Sequence, residues 1–429
     1  MGSAPPIRLQ VGIVGCGIAG LSAAIGLSRA GHAVEIFEQS KFKSEVGAAM
    51  ICAPNATRIL SRWGFDFDRA GAVECNQLRR IKADTLEVDS IDSFAHMQEK
   101  YGDRWLFFHR ADLHSGLKQL AISGQPTVSL HMGSRVVDID VVTGMIRLSN
   151  GKQAQKDLVI VADGAHSELN AKVVGRLCPT MKTPMSIYRI LQPLDRLLQD
   201  ETIAKLYKNQ PSGFTTFYKT EVGHPGLLLT TYPCRKGELL YVALMHPTKA
   251  KEQDIDNWDS PAEIGDMVSD ADGFHPAVKA LFKSATDVKV YTQMWQDPLE
   301  RYTNGRAIVI GDAAHLMLPT HAQGASMAVE DAMALQMLFE NIGSLAEVPS
   351  RVGLYDQLRL PRARTVQTMS NKMMGPPDAL EAEVRKYYDG PLPGGAKAKT
   401  FSAEYNAFFF LYDVAQEARK LLDDRAGTY

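Results

Sequence analysis

Apolar and polar positions along the chain fall into two textures. In the first, short unbroken apolar runs end abruptly at glycine. Val11-Gly12-Ile13-Val14 precedes Gly15, Leu158-Val159-Ile160-Val161 leads to Asp163-Gly164, and Ala307-Ile308-Val309-Ile310 precedes Gly311. Such runs, rich in β-branched residues, read as strands covered on both faces, as in a parallel sheet. Ala33-Val34-Glu35-Ile36-Phe37, after Gly31, reads as another strand that ends in Glu38. Between the first strand and this one lies a helix of small residues, Leu21-Ser22-Ala23-Ala24-Ile25-Gly26-Leu27.

The second texture runs from about 180 to 300, where apolar alternation with aromatics appears in Phe214-Thr215-Thr216-Phe217-Tyr218, Leu227-Leu228-Leu229-Thr230-Thr231-Tyr232 and Leu239-Leu240-Tyr241-Val242-Ala243-Leu244-Met245. It predicts an antiparallel sheet with one face free to roof a ligand pocket. Segments 128–130, 134–140 and 145–148 read as further antiparallel strands, with turns at Thr143-Gly144 and Asn150-Gly151. Past about 350 the pattern turns helical over 354–374 and loosens through Gly375-Pro376-Pro377 and Gly390-Pro391. A final amphipathic helix over 402–422 follows, carrying Phe408-Phe409-Phe410. The expected fold class is α/β. A Rossmann-type domain is built from 1–180 and 301–372, a mainly antiparallel-sheet domain from 181–300, and 373–429 forms a C-terminal loop and helix.

The glycine-rich breaks carry the candidate chemistry. Gly15-x-Gly17-x-x-Gly20 between strand and helix fits a dinucleotide site. Gly15 makes the turn, Gly17 lets a pyrophosphate reach the backbone, and Gly20 lets helix and strand pack closely. Glu38, about 20 residues on, suits ribose hydroxyls, or is merely solvated. Gly47-Ala48-Ala49 either lets backbone pass close to a flat ring system or is an ordinary tight loop; Pro54-Asn55 starts the next helix. Arg110, at a strand–helix junction, is a donor to ligand oxygens or a surface arginine. Asp163 orients a ligand group or caps a turn. Gly311-Asp312, Pro319 and Gly324-Ala325 lead into a helix whose N-terminus makes an anion-tolerant site. His315 and His321 lie six apart with Pro319 between them, which does not suit one helical face, so no metal is expected.

Composition narrows the partners. Lys plus Arg number 47 and Asp plus Glu 49 among 429 residues, so the net charge of −2 suggests neither nucleic acid nor an anionic membrane. Cysteines 16, 52, 75, 178 and 234 are scattered and odd in number, which fits reduced thiols in a cytoplasmic protein. No basic-plus-apolar leader precedes the first strand, and no apolar run is long enough for a membrane span.

Three strand-terminal signatures in this order resemble the class A flavoprotein monooxygenases, the family of para-hydroxybenzoate hydroxylase and salicylate hydroxylase. The resemblance is strongest at 11–38, 107–113, 157–167 and 306–332. Ala322-Gln323-Gly324-Ala325 is similar to a stretch of the fungal, salicylate-hydroxylase-like branch. Two departures stand out: Asn170 where the Asp-Gly motif usually ends in arginine, and Gly47-Ala48-Ala49 where the branch has Gly-Ala-Gly.

The resemblance implies FAD held by Gly15, Gly17, Gly20, Glu38, Gly47, Ala49, Arg110, Asp163, Gly311, Asp312, Pro319, Gly324 and Ala325. It implies NAD(P)H as a transient co-substrate and hydroxylation by O2 through a C4a-hydroperoxyflavin, with or without decarboxylation, of a phenolic or polyketide-like molecule. It places Arg189 and Tyr232 at the aromatic substrate, in a monomer or homodimer. The alternatives are an epoxidase or oxidative cyclase on an isoprenoid or indole alkaloid, and a flavin reductase or flavin-binding protein without oxygenase activity.

Overall fold

The structure, a computed structural model, describes residues 5–41, 48–219, 227–253, 255, 258–283, 285–373, 377–393 and 401–426. The unbroken apolar runs meet in one six-stranded sheet. Gln10–Val14 lies inside it, between Leu158–Val161 and Ala33–Glu38; Ala307–Val309 and then Thr303–Asn304 extend one side, and Ser129–Met132 the other. All neighbours run parallel except the Thr303–Asn304 pairing. Ser129–Met132 thus differs from expectation, since it lies parallel beside Ala33–Glu38 instead of in an antiparallel group. Its two partly buried residues belong to an edge strand, whose weak alternation looks alike in either sheet type. The helix Ile18–Arg29 packs on Gly324–Phe339. Gly26 makes that approach possible, because a Cβ there would lie 2.7 Å from the Ala332 carbonyl oxygen.

The alternating segments build an eight-stranded sheet, ordered Ser260–Ala262, Val288–Gln296, Thr180–Pro193, Leu239–Pro247, Leu227–Cys234, Gly213–Lys219, Gln77–Lys82 and Val88–Ser93. Pairings are antiparallel apart from Gly213–Lys219 with Gln77–Lys82. Two of its strands therefore come from residues 77–93. The period of two divides its faces. Tyr188, Ile190, Leu229, Val242 and Leu244 form a separate core under Ile264–Asp270 and Pro276–Lys283. Ile187, Phe214, Tyr232, Tyr241 and Ala243 face the other way and join the main core.

Aromatic rings seal that junction. Trp105 lies 5.5 Å from Phe214 and 5.2 Å from Phe410, and Phe107 lies 4.8 Å from both Phe214 and Tyr232. The C-terminal region differs from expectation in two respects. A helix, Pro377–Val384, interrupts the expected loop, and the last helix is split into Ala403–Phe410 and Val414–Ala426. Asp413 causes the split: its Oδ1 accepts from the Ala415 and Gln416 backbone N–H groups at 3.0 and 3.1 Å and starts a new helix.

Candidate functional site

The carboxyl ends of four parallel strands converge where the sheet order turns back on itself, which is where open α/β sheets bind ligands. The three glycines of the first turn differ in what they face. Gly15 has φ +99°, and a Cβ there would sit 2.4 Å from the Ala162 carbonyl oxygen. At Gly20 a Cβ would lie 2.0 Å from the Gly15 carbonyl oxygen. At Gly17 a Cβ would meet nothing within 4 Å. Packing thus requires the outer two, whereas Gly17 opens onto space, at the N-terminus of Ile18–Arg29, that the protein leaves for another group. Glu38 closes the turn: Oε2 accepts from the Cys16 N–H at 2.8 Å and Oε1 from the Ser40 N–H at 2.6 Å. Those bonds orient the carboxylate and leave it lone pairs for hydroxyl donors.

The opposite wall comes from the other two signatures. Asp163 follows Leu158–Val161; burial pushes its carboxyl up to about 6 against a hydrogen bond from Ser167, and its Oδ1 has no partner. Gly311 has φ +61° and its N–H donates to Asp331 Oδ2 at 3.0 Å. Ala313, Ala314 and His315 next to it are buried, but Asp312 and Pro319 are exposed. Surrounding protein still raises the Asp312 carboxyl by desolvation, with His315 and Arg110 opposing. Gly324 opens Gly324–Phe339 with free space where a Cβ would be, and Ala325 beside it is part-buried. Arg110 is the first residue of Arg110–Ser123, and its backbone N–H donates to the Ala48 carbonyl at 2.7 Å. Ala49 is the first residue of the short strand Ala49–Cys52, whereas Gly47 lies outside the described residues. An open glycine cradle, an unpartnered acceptor and two helix N-termini fit a dinucleotide carrying a flavin. Asn170 donates from Nδ2 to the Ala313 carbonyl at 3.1 Å, bracing the Gly311-Asp312 turn from behind.

A buried ionic network, which sequence patterns did not reveal, holds this wall. Asp331 Oδ2 also lies 2.7 Å from His315 Nε2, and its Oδ1 accepts from Arg359 Nε at 2.9 Å. Glu330 accepts from Arg359 Nη1 at 2.7 Å, Arg362 Nη2 at 3.1 Å and Asn55 Nδ2 at 2.6 Å. Burial pushes both carboxyls up, yet these partners overcome it. Asp331 falls to about 2, drawn down by His315 and Arg359, and Glu330 falls below its usual range. Arg362 also donates to the Phe408 and Phe409 carbonyls, so the C-terminal helix is tied to the same network. His315 and His321 take separate places. His315 is in this network, while His321 stacks on Tyr405 at 5.3 Å and burial lowers its imidazole to about 3.

Above the cleft, the sheet face that meets the main core carries Arg189, only 4% exposed. Its Nη2 donates to Asp259 Oδ1 at 3.1 Å, and its Nε is buried with no partner. Tyr241 and Tyr291 lie near enough to act on it electrostatically. The indole of Trp258 lies 4.2 Å from the Arg189 guanidinium and 5.3 Å from that of Arg110, so one ring links roof and cleft. Neither Trp258 nor the two tyrosines stand out in the sequence, since each sits outside any strand-end glycine motif. Tyr232 is buried in the aromatic seam, 4.8 Å from Phe107 and 4.9 Å from Tyr241, and burial raises its phenol well above the usual range.

Comparison with known proteins agrees with this geometry. The family model described as FAD binding domain matches residues 8–370. Hispidin-3-hydroxylase of Neonothopanus nambi is 30% identical over 371 residues, covering 84% of this chain and 87% of that protein. The FAD-dependent monooxygenase cfoG of Aspergillus candidus is 29% identical over 388 residues, covering 89% of this chain and 88% of its own. A salicylate hydroxylase solved with substrate superposes with a TM-score of 0.75 at 24% identity, over 96% of this chain and 97% of that one.

Proposed function

The chain belongs to the FAD-binding-domain family and is a flavin monooxygenase; from that premise we propose that it hydroxylates a phenolic or polyketide-like small molecule. NAD(P)H and O2 are its co-substrates, and loss of a ring carboxylate as carbon dioxide accompanies the reaction where that group sits on the attacked carbon. The observation that carries the substrate class is Arg189, a buried cation with an unpartnered N–H on a sheet face shared with Tyr232, Tyr241 and Tyr291. Two relatives named as a hydroxylase and a monooxygenase support the same reading.

FAD supplies the redox and oxygen-activating chemistry when bound. The chain's residues supply placement and charge. Gly15, Gly17, Gly20 and Glu38 would hold the adenosine diphosphate half, and Ala49, Arg110, Asp163, Gly311, Asp312, Pro319, Gly324 and Ala325 the ribityl and ring half. Arg189 favours the phenolate over the phenol and so raises electron density on the ring. Tyr232 and Tyr241, whose phenols burial keeps protonated, act as hydrogen-bond donors rather than bases. Residues 181–300, with 77–93, form the substrate domain, and 1–180 with 301–372 the flavin domain. The enzyme acts in the cytoplasm, a reading supported by its five free cysteines, and works as a monomer or homodimer.

Arg189→Gln tests this. FAD should stay bound while product formed per NAD(P)H consumed falls, since losing a unit of phenol pKa shift forfeits about 1.4 kcal/mol. The defect should shrink as pH rises and the phenol ionises unaided. Wild-type coupling at every pH would remove Arg189 from the site.

A further inference from the structure

Arg189 and Arg110 carry like charges, and Arg110 lies near enough to make the Arg189 charge less favourable. Two guanidiniums so placed repel each other, and the negative face of an aromatic ring beside both offsets that repulsion. Asp259 takes one Nη of Arg189 and leaves the plane of the group unrestrained by that bond alone. The Trp258 indole meets both cations, at 4.2 and 5.3 Å from its ring centroid, within the range of a cation–π contact. It is part-buried, whereas Arg189 is almost wholly enclosed. With one Nη on Asp259 and the indole against it, Arg189 keeps an Nε that is buried without a partner.

We infer that Trp258 is the positioning residue of the substrate site: it fixes the Arg189 plane so that an aromatic anion is received at the Nε edge, and joins that receptor to Arg110 beside the flavin. The inference rests on the substrate reading above. It adds that anion recognition depends on an aromatic side chain at 258, for which charge at 189 alone does not suffice.

Benzoate serves as the probe, because it is a planar aromatic anion that needs no hydroxylation to report binding. It is titrated into the FAD-loaded full-length enzyme and followed by the change in flavin absorbance. Wild type should bind it; Trp258→Leu should bind it about tenfold more weakly, the loss expected from a partly desolvated cation–π contact. Trp258→Phe, which keeps a ring, should recover to within about threefold of wild type. Cyclohexanecarboxylate, with the same charge and no ring, gauges how far the site discriminates for aromatics, and wild type should favour benzoate over it. A merely structural role would lower thermal stability in both variants and leave the benzoate affinity of the folded, flavin-loaded fraction unchanged. Equal benzoate affinity in wild type and Trp258→Leu would overturn the inference, as would a Phe variant no better than the Leu variant. Should the Leu variant not load FAD, Trp258→Phe against Trp258→His decides, with the poorer π donor expected to bind more weakly. Wild-type enzyme indifferent to benzoate while still oxidising NAD(P)H with a phenol would overturn this inference and leave the monooxygenase reading standing.

Discussion

Glu38 shows how a single acid in a strand-end position becomes a ligand group. Two backbone N–H donors already hold its oxygens, so its orientation costs no further ordering when a ribose arrives. Glu38→Ala removes a charged acceptor worth roughly 1.5–3 kcal/mol, and equilibrium dialysis of FAD against the apoprotein should show an affinity loss of about tenfold or more. Asp163 makes a different forecast, because its carboxyl is raised from 3.8 to about 6 by burial. The folded state holds that proton more tightly than the unfolded chain, so the apoprotein loses stability as pH climbs from about 4 to about 6. Asp163→Asn abolishes the titration. In urea unfolding of the apoprotein the variant should match wild type below pH 4 and exceed it by about 2–3 kcal/mol above pH 6. A constant difference at all pH values would show that Asp163 is not strained in the cofactor-free state. The position of both acids was legible in the sequence because each ends an apolar strand. Arg189 was legible only by resemblance, and Trp258 was not, since its partners lie 69 and 148 residues away and no local period records a stacking contact.

At the scale of elements, the first turn separates packing from ligand binding. Gly15→Ala places a methyl against the Ala162 carbonyl in left-handed backbone, and should cost about 1–3 kcal/mol from strain alone. Gly17→Ala is different. Its φ of −76° suits alanine and its Cβ would touch no protein atom, so apoprotein stability should stay within about 0.5 kcal/mol of wild type while FAD binding is lost. Denaturant unfolding and flavin loading, measured on both variants, distinguish the two roles. The network beneath Gly311 invites a harsher change. Arg362→Leu strips Glu330 of one of its two arginines and releases the Phe408 and Phe409 carbonyls, and should cost about 3–5 kcal/mol in urea unfolding. Strand ends and helix starts at 10–38, 106–123 and 307–339 were readable from runs of apolar residues and glycine. Ser129–Met132 was misplaced because an edge strand of partly exposed residues carries no sign of which sheet it joins. The break at Asp413 was missed because its cap competes with an otherwise continuous apolar stripe.

At the scale of the molecule, one face of the mainly antiparallel sheet joins the core of the parallel sheet, and Trp258 lies between Arg189 of the one and Arg110 of the other. No helix among the described residues is long and apolar enough to cross a membrane. The α/β class followed from the two textures of apolar residues, and the flavin from the resemblance carried by the glycine-ended strands. The way residues 77–93 join the second sheet did not, because that pairing spans more than a hundred residues of chain. On the proposed reading, one oxygen atom of O2 enters a phenolic carbon of the substrate. The most direct measurement incubates the purified, FAD-loaded enzyme with NAD(P)H under ¹⁸O2 and the phenol that most accelerates NAD(P)H oxidation, then weighs the product. One ¹⁸O atom per product molecule is expected, with close to one NAD(P)H consumed for each. Hydrogen peroxide as the sole fate of the oxygen with every phenol tried, and no label in any organic product, would contradict it.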